Sequence, residues 1–151
     1  MNEATRPPPA GALSNVFDRV PFLKLLGARR EVSEGGFARL ALQVKPELTN
    51  LFEAAHGGVL MSLLDTAMAS AAVSSVNFES SAVTLNLSVS FLLPGRGRLL
   101  IEGQRTGGGR SVCFCEGKVM DEQGQVLARA VGSFKFKRLV LADTGPQAAS
   151  G

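Results

Sequence analysis

Between Gly58 and Val76 runs the stretch GVLMSLLDTAMASAAVSSV, 19 residues with a single charge, Asp65. Nothing else in the chain limits the fold as much. A segment this apolar on all sides has to be covered on most of them, by protein or by lipid. Lipid is the weaker expectation. A spanning helix takes about 20 strongly apolar residues, and a carboxylate at its centre costs roughly 2.5–3.5 kcal/mol on insertion scales. This segment is rich in Ala and Ser, so it reads as the buried helix of a soluble protein, beginning at about His56 or Gly57.

What covers it follows from the rest of the chain. Upstream, Asn15–Leu26 suggests a short helix closed by Gly27. Strand-like stretches at Ala28–Ser33 and Phe37–Lys45 follow, with Gly35-Gly36 turning between them, and residues 46–53 read as a loop. Downstream every segment reads as strand. Val83, Leu85, Leu87, Val89 and Phe91 alternate with Thr84, Asn86, Ser88 and Ser90, a period of two that ends at Pro94-Gly95. Further strands are expected at Arg98–Arg105, Ser111–Met120 and Gln125–Lys137, with turns at 106–109 and 121–124. Short Gly-rich turns imply antiparallel pairing. Two strands, one buried helix and four more strands make an α+β domain in which one curved antiparallel sheet wraps the helix. That is the hotdog fold. One helix cannot cover the whole concave surface, and the polar Thr84–Ser90 face must meet something, so pairing of two such units is expected.

The chain has 151 residues, enough for one ordinary domain, read here as residues 15–141 between flexible Pro-, Ala-, Gly- and Ser-rich tails at 1–14 and 142–151. A domain of this size buries roughly two-thirds of its unfolded surface and needs no disulfides. Cys113 and Cys115 read as reduced core residues on one strand face, since such neighbours make a poor disulfide and Cys-x-Cys alone is no zinc site. The first ten residues have no signal-peptide apolar stretch, so the expected compartment is cytoplasmic. A net charge of +3 without a basic run, and without Trp or Tyr, gives nucleic-acid binding little support.

The chemistry concentrates between Asn50 and Asp65. Helix-initial N–H groups are unpaired and sit at the positive end of the helix dipole, and Gly57 and Gly58 would let a ligand oxygen approach them closely. Such a site suits the oxyanion of a tetrahedral intermediate. Asp65 lies eight residues beyond Gly57, roughly 12 Å along the helix axis. One carbonyl cannot be within ~3 Å of both on one helix. If both act on one substrate, they come from two antiparallel helices of a dimer, with two sites per pair.

Several stretches, in order over residues 20–137, are similar to one family. They are Pro21-Phe-Leu-Lys-Leu-Leu-Gly27, Asn50…His56-Gly57-Gly58…Leu64-Asp65-Thr66-Ala67, Thr84-Leu-Asn-Leu-Ser-Val-Ser-Phe-Leu-Leu-Pro94-Gly95, Gly109-Arg110 and Gly124…Ala128-Arg-Ala-Val-Gly132. Together they resemble the phenylacetyl-CoA thioesterase-like branch of the hotdog superfamily. The resemblance implies hydrolysis of an acyl- or aroyl-CoA thioester without metal or organic cofactor. It implies that Asp65 activates water or attacks the carbonyl, and that the Gly57 amide polarises that carbonyl from the other subunit. Asn50 would orient water or the thioester, His56 would brace the loop, and Thr84 would assist the carboxylate. It also implies a homodimer, commonly assembled into a tetramer of two dimers.

The diphosphate and 3′-phosphate of CoA call for cations or free amides. Arg96 and Arg98 around the Pro94-Gly95 turn, and Gly108, Gly109 and Arg110, are the candidates, with Gly58 beside the carbonyl site. Phe52, Met61 and Phe78 are plausible liners of the acyl pocket. The glycine-rich turn lacks the following helix of a dinucleotide loop, and no helix serine has the partners of a serine hydrolase. Two other functions fit the same fold: an acyl-CoA-binding module without turnover, and an enoyl-thioester hydratase or dehydratase. The intact Asn50, Gly57 and Asp65 set weighs against the first, and the His56-to-Asp65 spacing against the second.

Overall fold

The computed structural model describes residues 17–138. The tails at 1–14 and 142–151, and the expected domain limits at 15, 16 and 139–141, lie outside the described residues. The buried helix is α2, Gly57–Ser74, preceded by a short α1 at Pro21–Leu26 that ends on Gly27 in the left-handed conformation (φ 77°). Six strands cover it: β1 (Arg29–Glu34), β2 (Phe37–Gln43), β3 (Ser81–Phe91), β4 (Arg98–Gly108), β5 (Val112–Met120) and β6 (Val126–Lys137). They form one antiparallel sheet in the order β1-β2-β4-β5-β6-β3. The expected α+β hotdog architecture is present. By length and composition alone α2 could cross a membrane, but it is the core helix of this fold.

Helix and sheet meet through Leu60, Leu63, Leu64, Ala67, Met68, Ala71 and Ala72 on α2 and through Leu40, Leu42, Leu99, Ile101, Val119 and Phe134 on the strands, all buried. Two glycines set the distance between the layers. Gly103 and Gly117 face each other across β4 and β5. A methyl group on Gly103 would overlap the Ala67 carbonyl, and one on Gly117 would sit 3.1 Å from Leu64 Cδ2 and 3.2 Å from Met68 Cγ. Cys113 and Cys115 are reduced and buried on the same inner face, as expected. Burial pushes both thiols up, Cys115 to about 12.

Three details depart from the sequence reading. First, β3 does not pair with β4. It lies at the sheet edge beside β6, so the Pro94-Gly95 segment is a crossover rather than a hairpin. Second, β4 continues through Thr106 and Gly107 to Gly108. A bulge between Arg105 and Gly107 absorbs the irregularity, and the turn tightens only at Gly109, whose N–H donates to Val112 O at 2.8 Å. Third, β3 does not keep its period of two. A bulge at Leu85 lets Thr84 pair with Phe134 and Asn86 with Ser133, so Thr84 faces the helix while Asn86, Ser88 and Ser90 face outward. The expected single polar face is therefore split in two.

Candidate active site

The approach to α2 is a braced loop. Asn50 Oδ1 accepts from Phe52 N at 2.9 Å and Ala54 N at 3.2 Å, while Asn50 N donates to Ala54 O at 2.8 Å. Ala55 N donates to Gly95 O and His56 N to Leu48 O, both at 2.8 Å, tying the loop to the β3–β4 crossover and to the turn at Pro46–Leu48. Asn50 thus spends its side-chain oxygen on the loop, and only its Nδ2 group is left to act on a ligand.

His56 is the N-cap of α2, and its Nδ1 accepts the Gly58 N–H at 2.9 Å. An imidazole that accepts at Nδ1 carries its proton on Nε2. The Gly58 amide is accordingly committed within the chain and is not a free donor, contrary to its assignment beside the carbonyl. A methyl group there would crowd His56 Nδ1 at 3.1 Å, so a larger residue would push on the capping imidazole. The Gly57 N–H has no acceptor among the described residues. The Phe91 ring lies beside it, 3.4 Å from where a Cβ would be.

Two turns further on, Asp65 is half-buried, and Thr84 Oγ1 donates to its Oδ1 at 2.6 Å. The β3 bulge makes this contact possible by turning Thr84 inward. Thr84 also fixes one carboxylate oxygen and leaves the other to act. Edge strand β3 therefore reaches both parts of the helix, with Thr84 at Asp65 and Phe91 at Gly57. Within one chain those two parts stay roughly 12 Å apart.

Asp65 and Thr84 open onto a cavity of about 430 Å³. Its walls are mostly apolar: Phe17, Val20, Phe22 and Leu23 from the N-terminal segment, Ala69 and Val73 from α2, and Phe78. Asn77 and Phe78 both take positive φ (50° and 60°) directly after α2, a strained geometry that carries the Phe78 ring to the cavity wall. Phe78 was expected in the pocket. Phe52 and Met61 are instead 73% and 41% exposed and do not line it. The N-terminal segment lines the pocket as its sequence leads one to expect, whereas Arg30 does not stand out in the sequence; the alternation along β1 is its signal, masked by a bulge at Glu31.

The candidate phosphate ligands fall into two groups at opposite ends of β4, roughly 30 Å apart at 3.3 Å per residue. At one end Arg96 donates to Phe52 O at 2.8 Å, and Arg98 is ion-paired with Glu31 at 2.7 Å. At the other, Gly108 is in the strand, the Gly109 N–H is taken by Val112, and Arg110 is exposed. Arg110 rather than the Gly109 amide is the donor available there. Among the described residues, no group of three or more His, Cys, Asp or Glu side chains could hold a metal ion.

The site thus combines a hydroxyl-braced carboxylate at an apolar cavity with an open helix-initial amide, on a hotdog sheet around one helix. Residues 52–128 match the Thioesterase superfamily, and the chain belongs to that family. It is 31% identical over 132 residues to a protein of Saccharolobus solfataricus named for an expected esterase activity, covering 86% of this chain and 94% of that one. Among solved structures it is similar to the Escherichia coli PaaI protein of the phenylacetic acid degradation operon, at 24% identity over 83% of this chain and 90% of that chain (TM-score 0.76). It is also similar to a Streptococcus mutans protein solved with acetyl-CoA bound, at 26% identity over 74% of this chain and 89% of that chain (TM-score 0.67).

Proposed function

We propose that the chain hydrolyses an aryl- or medium-chain acyl-CoA thioester to the free acid and CoA, with Asp65 as the catalytic carboxylate. The observation that carries this reading is the 2.6 Å Thr84–Asp65 hydrogen bond at the wall of an apolar cavity in a Thioesterase superfamily chain. The acetyl-CoA held by the S. mutans protein supports CoA as the carrier of the acyl group. The acyl group enters the cavity, and the thioester carbonyl sits at Asp65. Its oxygen points to the partner subunit's Gly57, because the Gly57 of the same chain is too far along the helix. Two routes use this placement. Asp65 takes a proton from water as that water adds to the carbonyl, or it attacks the carbonyl itself and water then cleaves the mixed anhydride. Both expel CoA as the thiol.

The sites are complete only in a homodimer. The unpaired edge of β3, with Val83 and Leu85 43% and 55% exposed, supports that strand as the dimer seam. Arg110 at one end of β4 and Arg96 with Arg98 at the other are the candidate cations for the CoA phosphates. The test is thiol release from a panel of CoA thioesters by wild type and Asp65→Asn. Hydrolysis by wild type and loss in the variant is the expected result. An unchanged rate in Asp65→Asn would remove Asp65 from the chemistry, and tight binding without thiol release would make the protein a binding module. Label in the Asp65 carboxylate after a single turnover in ¹⁸O-water would identify the anhydride route with water attacking on the Asp65 side, and hydroxylamine trapping of an acylated Asp65 would identify it when water attacks the acyl carbon; the general-base route gives neither.

A further inference from the structure

Among the described residues, the wall of the cavity that holds Asp65 includes one cation, Arg30. Strand register puts it there. Arg30 pairs with Leu40, which is fully buried on the helix face, whereas its neighbour Arg29 pairs with Ala41 on the other face. After the bulge, Ser33 pairs with Ala38 on the inner face and its hydroxyl reaches Ser70 O at 3.4 Å, so β1 runs alongside the helix at the cavity. The Arg30 guanidinium stacks over the Phe17 ring, 5.4 Å from its centroid. Burial lowers its pKa, and the nearby Asp18 carboxylate acts in the opposite direction.

A guanidinium has five N–H donors in a planar fork, so contacts to the chain are compatible with contacts to a ligand. The fork matches a carboxylate with two parallel hydrogen bonds. Among the described residues, the charged groups lining the cavity are Asp65 and Arg30, and the surface around them is phenyl, aliphatic and hydroxyl. A substrate carboxylate would be repelled by Asp65 and drawn to Arg30. Such a group orients the acyl chain, with the reacting carbonyl at Asp65 and the far end at the guanidinium.

On the acyl-CoA reading of this site, we propose that Arg30 is a specificity-determining residue. It selects an acyl group that ends in a carboxylate, the half-thioester of a dicarboxylic acid. The chemistry at the thioester is unchanged: water adds, CoA leaves as thiol, and the product is the free dicarboxylic acid.

The experiment compares pairs matched in length, adipoyl-CoA with hexanoyl-CoA and suberoyl-CoA with octanoyl-CoA, on wild type, Arg30→Met and Arg30→Gln. Wild type is expected to show kcat/KM about tenfold or more higher for the carboxylated member, as one charge-assisted fork supplies. In both variants that preference should vanish through KM; the lost Arg30–Phe17 stacking acts on both members of a pair alike, so the ratio between them is the readout. Equal loss for both members of a pair, or a wild-type preference for the hydrocarbon member, would overturn the proposal. Calorimetry of free hexanoate against the uncharged hexanamide, on wild type and Arg30→Gln, reads the same selection without turnover. Tighter hexanoate binding in wild type that is lost in Arg30→Gln supports it, and equal binding of the two ligands to wild type overturns it. If no thioester is hydrolysed, the acyl-CoA reading falls, and the calorimetry still decides on Arg30.

Discussion

At the residue scale the site turns on one short hydrogen bond. Thr84 touches Asp65 and not the expected position of the reacting carbonyl, so it is a positioning residue, and its effect should appear in kcat rather than KM. Thr84→Val is expected to lower kcat by about 1.5 kcal/mol of lost stabilisation, roughly tenfold, with Thr84→Ser restoring most of it. Equal effects on kcat and KM, or no rescue by serine, would make Thr84 a packing residue. Asp65→Asn is expected to cost about 10²–10⁴-fold, the range for a removed general base. The two cysteines lead to a pH prediction. Folding raises the Cys115 pKa from 9.0 to about 12. The neutral thiol is favoured in the folded state, so this contribution to stability is complete below about pH 9 and is lost as pH rises towards 12. Denaturant titrations at pH 7 and 10 should show lower stability at the higher pH, and the native thiols should resist a disulfide reagent at pH 8 until the protein unfolds.

At the scale of elements, the helix and six strands were legible because a buried segment and alternating strands carry their periods in the sequence. The loop before α2 was legible too, since His56 and the glycines behave as a helix start must. The bulges at Leu85 and Glu31 were not. A bulge is one extra residue opposite an ordinary partner, and only the neighbouring strand reveals it. In the sequence alone Thr84 therefore shares one face with Asn86, Ser88 and Ser90, and Arg30 carries no sign that it faces inward. The place of β3 at the sheet edge was hidden for a similar reason, because Pro94-Gly95 looks the same in a hairpin and in a crossover. The Gly58 amide was misassigned because its acceptor is a side chain two residues away. The glycine pair under α2 gives a test of packing. Gly103→Ala should destabilise by about 1–3 kcal/mol or more in chemical denaturation, since its methyl group meets the helix backbone rather than a movable side chain. A neutral result would mean the layers can separate freely.

At the scale of the whole molecule, the expected unit of activity is a pair of chains. Leu85→Lys on the open edge of β3 should yield a folded monomer by sedimentation equilibrium and abolish thiol release, with Asp65 intact. Asp65→Asn should remain a dimer while losing the same activity. An active Leu85→Lys monomer would remove the partner's Gly57 from the reaction.

The close seat of α2 on Gly103 and Gly117 has one more consequence. With backbone nearly touching backbone, the helix that carries Asp65 has no room to slide or tilt when a bulkier acyl group arrives. Accommodation falls instead to the parts that merely lean over the cavity: the segment from Phe17 to Leu23, the Phe78 corner and the inward side of β1. On the proposed function, substrate preference is set by these few covering side chains, while Asp65 stays where two glycines seat its helix.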